Sequence, residues 1–452
     1  MAYTVINPYT QEVLATYPVA SDEQIEAALQ QADAAIGATD ARPLRAKQLA
    51  ALAQAFAAHA EELAALATAN MGKLHREALG EVQGAIGVIN YYANYGAAYL
   101  QPRLRQYQGV RQATISYEPS GVVMAIEPWN FPYTQVMRVF APNFMVGNPV
   151  ILKHAPGVAQ CAVKMIELAR SAGIPAGAFQ NLFLTNEQAA AVIADPRVQG
   201  VALTGSVRAG RQVAAEAGAA LTKVTLELGG NDAFVVLDDA DVAAAAAAAV
   251  GSRLRNAGQV CVSAKRFIVT QGVAAAFTAA VVEQFENQVL GDPDDFETTL
   301  APLASKAACT RLQTQVDAAL SHGARALVAG GTVPGTANFF SPVLLTDITP
   351  ENPIFDSELF GPVGQLHVVA DDDAAVALAN RSQYGLAGTV FGAPAHAAAV
   401  AARLSTGQVF LNQQAVAQPE LPFGGVRNSG FGREMSEQAL YEFAALKVIA
   451  AG

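Results

Sequence analysis

A chain of 452 residues with 28 Lys and Arg against 39 Asp and Glu, 52% hydrophobic and 15% charged, describes two or three folded domains with real cores and not a disordered polymer. The net charge of -11 and the lack of a dense basic block argue against nucleic acid as a main partner. No segment joins a basic start to an apolar run and a cleavage site, and the longest apolar stretches are alanine-rich and broken by Asp, Gln or Gly; neither secretion nor a membrane span is expected, and the cytoplasm is the default location.

Apolar residues recur at three- and four-residue spacing over 22–36, 45–72 and 76–100. This predicts three amphipathic helices, the first opened by Ser21 as N-cap with Gln24 three residues on. The stretch "VRQATISYEPSG" at 110–121 then alternates into a Pro-Ser-Gly turn, followed by the apolar run "VVMAI". Next come "PVILKHAP" at 149–156, a helix over 158–173, "AFQNLFLT" at 178–185, a helix over 186–196 and a strand over 198–206. Short apolar strands alternating with longer helices read as βαβ units and a parallel sheet. A second alternation starts at 232–242 and runs through "KRFIVT" at 265–270, 274–289, 310–331, 364–370, 373–381, 386–392, a helix over 395–404 and "GQVFLN" at 407–412. Two α/β domains with a boundary between Glu227 and Asn231 account for both series. The run Ala243 to Ala249, flanked by Asp241 and Ser252, reads as a small-faced helix, and no repeat of fixed period is visible.

Several positions carry chemistry. Lys153 ends a strand before Pro156, and strand C-termini in an α/β sheet are where ligands bind, so its ammonium can meet a ribose hydroxyl or a phosphate; a solvated lysine is the bland alternative. In "VALTGSVRAG" a strand runs into Gly205 and Ser206, a turn whose following helix offers free N–H groups to a pyrophosphate. The spacing is not that of G-x-G-x-x-G, so a plain turn stays open, and no G-x-x-x-x-G-K-[ST] loop occurs.

The three cysteines form no disulfide framework. Cys161 and Cys309 sit at helical spacing in apolar faces and read as packing, whereas Cys261 follows "NAGQV" at a turn before a strand. N–H groups in such a turn are expected to lower a thiol's pKa from its usual 8.5 or so and make a nucleophile. No His or Asp lies within six residues of Cys261, and a Cys-His pair assembled in space stays open. Glu227 follows a strand and precedes two glycines, where burial raises a carboxyl toward the range of a base that handles a water proton. Asn130 is held between Trp129 and Phe131, with Pro128 and Pro132 fixing the backbone, as a rigid amide donor for an oxyanion. Together these describe acyl chemistry on a cysteine.

"PWNFP" at 128–132, "LTGS" at 203–206, "ELGG" at 227–230, "GQVC" at 258–261, "ELFGP" at 358–362 and "PFGGVRNSGFGRE" at 422–434 follow one another in the order of the aldehyde dehydrogenase superfamily, which the chain resembles over nearly its whole length. With "KHAP" at 153–156 and "TGSVRAG" at 204–210, it is most similar to the bacterial NAD(P)-dependent succinate-semialdehyde dehydrogenases. The resemblance implies an α/β fold with a Rossmann-like cofactor domain, an α/β catalytic domain and a small β oligomerisation arm. It places an NAD(P)-binding domain at 1–105 and 119–228, the arm at 106–118, the catalytic domain at 229–415, and a C-terminal return with a second part of the arm at 416–452. It implies a catalytic thiolate at Cys261, a general base at Glu227 and an oxyanion donor at Asn130. Cofactor contacts are implied at Trp129, Lys153, Gly205, Ser206, Glu358 and Phe360, with no metal, and "ATISYEP" and "YEFAALKVI" would join subunits into a homodimer or a dimer of dimers.

The reaction so implied is oxidation of succinate semialdehyde to succinate with NAD or NADP, through a cysteine thiohemiacetal and thioester. Another short aldehyde such as glutarate semialdehyde, or a cysteine hydrolase without nicotinamide, are the alternatives. Pro156 stands where many NAD-selective relatives carry a glutamate that receives the ribose diol; without that repulsive carboxylate, both cofactors are expected. Arg138 and Arg255 are the expected partners of the substrate's terminal carboxylate, since a guanidinium forks onto two oxygens. The alternative for each is pairing with an acid at a domain interface.

Overall fold

The computed structural model describes residues 2–37, 39–109, 111–335 and 338–451. The first expected helix forms over Asp22–Ala34 with a reciprocal capping box: the Ser21 hydroxyl accepts the Gln24 N–H, and the Gln24 side chain accepts the Ser21 N–H. Such a cap is worth about 1 kcal/mol. The second expected helix is two, Arg42–Ala58 and Ala60–Met71, hinged at His59, which ends one and opens the next. Helix His75–Tyr99 completes the group. An N-terminal hairpin, Ala2–Ile6 with Val13–Pro18, lies outside the expected elements.

The first alternation builds a six-stranded sheet in the order Gly430–Phe431, Lys223–Glu227, Val198–Thr204, Val122–Glu127, Val150–His154, Phe179–Asn181. Its strands are parallel except the edge pair from the C-terminal segment, where Gly430 faces Glu227. Helix Thr134–Val146 is buried along most of its length beneath this sheet. The second alternation builds a seven-stranded sheet, Arg325–Val328, Val343–Thr346, Val363–Val369, Arg266–Thr270, Ala233–Val236, Ala387–Phe391, Gln408–Leu411, antiparallel only at its first pair. The alanine run forms helix Val242–Leu254, capped where Asp241 accepts the Ala244 N–H. Its Ala245, Ala246 and Ala249 are buried in the core under that sheet, a close approach that small side chains permit.

A separate three-stranded antiparallel sheet joins Arg103–Tyr107, Arg111–Pro119 and Ala444–Ala450, with Ala444 opposite Pro119. Val110, the first residue of the alternating stretch, lies outside the described residues. Leu104 (71%), Leu446 (58%) and Ile449 (59%) are exposed on this sheet. Among the described residues no helix is long and apolar enough to cross a membrane.

Candidate active site

The two large sheets face each other across a cavity of about 520 Å³ lined by Cys261, Glu227 and Asn130. Trp129, Gly205, Ser206, Glu358 and Phe360 line the same cavity. Among the described residues no histidine does, so the spatial Cys-His pair left open above finds no support.

On the first sheet's side, the Gly205 N–H donates to the Glu227 carbonyl (2.9 Å), tying the turn after one strand to the end of its neighbour. Ser206 caps helix Val207–Ala219, its hydroxyl accepting the Ala209 N–H. A Cβ added at Gly205 would meet nothing closer than Leu203 Cδ2 at 3.8 Å, so the protein leaves open space at a helix N-terminus, a fit for a pyrophosphate. Trp129 meets Phe360 edge to face (5.9 Å, 86°). A Cβ at Gly229 would lie 2.1 Å from Glu358 Oε2; glycine there lets that carboxylate lie against the "ELGG" turn, where Oε1 accepts the Gly230 N–H (3.1 Å). An anion cradle at a helix start, an aromatic pair and a carboxylate acceptor suit a nicotinamide dinucleotide.

The nucleophile turn is built differently. Asn256, Ala257 and Gly258 take successive left-handed conformations (φ 51°, 50° and 76°), and each non-glycine residue held so costs about 1 kcal/mol or more. Hydrogen bonds hold the strain: Asn256 Nδ2 donates to the Asn130 carbonyl (3.1 Å), and Asn130 Nδ2 donates to the Gln259 carbonyl (2.9 Å). Gly258 packs so closely on Gly361 that a Cβ would sit 2.2 Å from its carbonyl carbon. From below, buried Lys265 donates to the Val260 carbonyl (3.1 Å) and the Cys261 carbonyl, and its Nζ lies 3.3 Å from Glu358 Oε1. Lys265 belongs to none of the motifs above, and its signal in the sequence is the pair of basic residues that opens the apolar strand "KRFIV".

Burial pushes the Cys261 thiol up to about 11; Lys265 and Arg138 pull against this, and Glu358 and Asp232 add to it. Burial outweighs Lys265 and Arg138, so the thiol stands above its usual value and not below it as the turn context led one to expect. Glu227, 3% exposed, is held well above the usual carboxylate range by burial and then Glu434, against Arg138. Neither of its oxygens has a hydrogen-bond partner among the described residues. Burial without hydrogen-bond partners makes its carboxylate more basic than a free one.

The remaining expected residues lie off the cavity. Lys153 is half-buried at its strand end, and burial lowers its pKa. Arg138, expected to meet a substrate carboxylate, is instead ion-paired with Glu434 and stacked on Phe423 (3.9 Å); the interface-acid alternative describes this arrangement. Arg255 lies 5.5 Å from the Phe131 ring and lines a second cavity of about 310 Å³ with Arg76 and Glu77. No salt bridge engages it among the described residues. Arg208 and Arg311, not singled out from the sequence, line the main cavity.

Residues 1–449 match the model of the aldehyde dehydrogenase family. The chain is 44% identical to a succinate-semialdehyde dehydrogenase [NADP(+)] of Deinococcus radiodurans, covering 99% of this chain and 94% of that protein. It is 42% identical to a succinate semialdehyde dehydrogenase [NAD(P)+] of Escherichia coli (98% and 96% covered). The crystal structure of succinic semialdehyde dehydrogenase from Streptococcus pyogenes in complex with NADP+ superposes with a TM-score of 0.96 at 43% identity over 99% of both chains.

Proposed function

The chain belongs to the aldehyde dehydrogenase family, and from that premise we propose that it oxidises succinate semialdehyde to succinate with NADP+ or NAD+. The observation that carries this reading is the convergence of Cys261, Glu227 and Asn130 on one cavity with Gly205, Ser206 and Glu358. The relatives' printed activity supplies the substrate.

Cys261 Sγ bonds to the aldehyde carbon as its proton passes to the Glu227 carboxylate, which gives it up to solvent before the hydrolytic half-reaction. The developing oxyanion is held by Asn130 Nδ2 and the Cys261 N–H, while Trp129, Lys153, Gly205, Ser206, Glu358 and Phe360 hold the cofactor. The bound nicotinamide dinucleotide supplies the hydride acceptor. The acyl group then rests on Cys261 as a thioester. Glu227 takes a proton from water, the water oxygen bonds to the thioester carbon, and the C–S bond breaks to release the acid and restore the thiol. Arg255, which stands beside the Phe131 ring next to Asn130 and near Glu77 with no salt bridge among the described residues, receives the distal carboxylate of the substrate, and Arg138 backs the site as the counter-charge of Glu434. Subunits associate as a homodimer or a dimer of dimers through the apolar residues of the three-stranded sheet, and the enzyme works in the cytoplasm, where its thiols stay reduced.

Absorbance at 340 nm with succinate semialdehyde or butanal and either cofactor tests this directly. Succinate semialdehyde should turn over faster than butanal, and Arg255→Ala should erase that preference, by tens-fold or more if a charge-assisted contact of roughly 2 kcal/mol or greater is lost. No reduced cofactor with any aldehyde removes the reading; equal losses on both substrates remove Arg255 from it.

A further inference from the structure

Glu227 is not the only acid at its edge of the sheet. Parallel pairing sets Ile126 opposite Leu203 and Leu203 opposite Leu226, so one residue further along these strands lie Glu127, Thr204 and Glu227, with Thr204 opposite Glu227 and His154 opposite Glu127. Side chains in register across neighbouring strands share a face. Glu127 and Glu227 therefore stand on one face with Thr204 between them, two strand spacings or roughly 10 Å apart at the backbone. Glu127 is 2% exposed and Thr204 9%, and Thr204 lines the cavity with Glu227.

The surroundings supply little positive charge. Arg138, from helix Thr134–Val146, is already paired with Glu434 from the C-terminal segment. Arg433 and Glu442 act on Glu227 from the same segment, and Cys261 and Arg138 influence each other electrostatically. His154 is no proton donor to Glu127: its ring meets the backbone oxygens of Glu127 (3.2 Å) and Pro132 (2.9 Å), and burial holds its pKa down to about 4. Burial raises all three carboxyls, Glu127, Glu227 and Glu434, and the charge of Arg138, which is paired with Glu434, acts against the rise in each, so the three titrate together. Burial, then Glu434, holds Glu127 well above the usual range, with Thr204 and Arg138 acting against and Glu227 adding to the rise.

We propose that Glu127 is a positioning residue for the base: it shares the proton load of this buried cluster with Glu227 and so sets the pH below which Glu227 can no longer accept a proton from water. The proposal rests on the reading of Glu227 as the base of thioester hydrolysis. The sign follows from like charge, since an ionised Glu127 disfavours ionised Glu227.

The test is Glu127→Gln, which keeps size and removes charge, with Glu127→Met as a second charge-free variant should the amide not fold. The readouts are the pH profiles of kcat and of cofactor-free hydrolysis of p-nitrophenyl acetate. The acid limb should move down by about half a pH unit or more, roughly a threefold gain on that limb, with KM for the aldehyde little changed, and Glu127→Asp should return the limb toward that of the parent. An acid limb superimposable on the parent in both charge-free variants overturns the proposal. The underlying reading is tested separately by Glu227→Gln, which should give a burst of reduced cofactor and then slow turnover. Full steady-state turnover in that variant overturns the base itself, whatever Glu127 does.

Discussion

The two large sheets meet at the candidate site with opposite ends. From the six-stranded sheet every residue expected at the site and found on the cavity ends or follows a strand: Trp129 and Asn130 after Val122–Glu127, Gly205 and Ser206 after Val198–Thr204, Glu227 as the last residue of Lys223–Glu227. From the seven-stranded sheet every one precedes a strand: Cys261 before Arg266–Thr270, Glu358 and Phe360 before Val363–Val369. At the C-terminal edge the parallel topology itself provides a crevice and free helix N–H groups. The N-terminal edge offers neither. There the site is held by three left-handed residues, a glycine pressed on Gly361, and the Lys265 clamp. One half of the site is thus a product of topology and the other of individual contacts, so single substitutions should hurt the second half more.

The largest effect tests the nucleophile itself. Cys261→Ala removes the sulfur proposed to carry the acyl group, and turnover should fall to the background of the assay. Cys161→Ala and Cys309→Ala, at buried packing positions, should keep it. Turnover retained in Cys261→Ala would move the nucleophile elsewhere and dissolve the comparison.

Next comes the clamp. Lys265→Met keeps the stem and removes three contacts, to the Val260 and Cys261 carbonyls and to Glu358. Charge-assisted hydrogen bonds contribute roughly 1.5 to 3 kcal/mol each, so kcat/KM should fall by about tenfold to a hundredfold. Lys265 also pulls the Cys261 thiol down; without it the thiol rises further, and iodoacetamide alkylation at fixed pH should slow. Unchanged alkylation with reduced kcat would leave Lys265 a purely mechanical support.

This division also explains what the sequence disclosed. Cys261, Glu227 and Asn130 were legible because each sits in a short motif whose local chemistry is complete: a turn, a strand end before glycines, an amide fixed between prolines. The Ser21 cap and the alternation of strands with helices were legible for the same local reason. The break at His59 was not, since no glycine or proline marks it. Nor was the partner of Arg138, because Glu434 arrives from the far end of the chain on a segment that pairs with the sheet edge beside Glu227. Contacts of that kind are set by topology, which periodicity does not reveal.

The smallest expected effect belongs to the first sheet and concerns the choice of cofactor. Lys153, next to last in its strand, is half-buried, burial lowers its pKa from the usual lysine value, and no ion pair engages its ammonium among the described residues. A 2'-phosphate would supply the missing counter-charge, while a ribose diol offers only hydrogen bonds, and Pro156 adds no carboxylate to repel the phosphate. Lys153→Ala should therefore raise KM for NADP by roughly tenfold, in line with a charge-assisted contact of about 1.5 kcal/mol, and leave KM for NAD within about threefold. The lowered pKa adds a second signature. As pH rises toward the folded pKa the ammonium loses its charge earlier than a free lysine would, so KM for NADP should climb at alkaline pH in the parent enzyme and stay flat in Lys153→Ala. Equal changes for both cofactors would assign Lys153 to the ribose hydroxyls they share nearby instead of the phosphate that separates them.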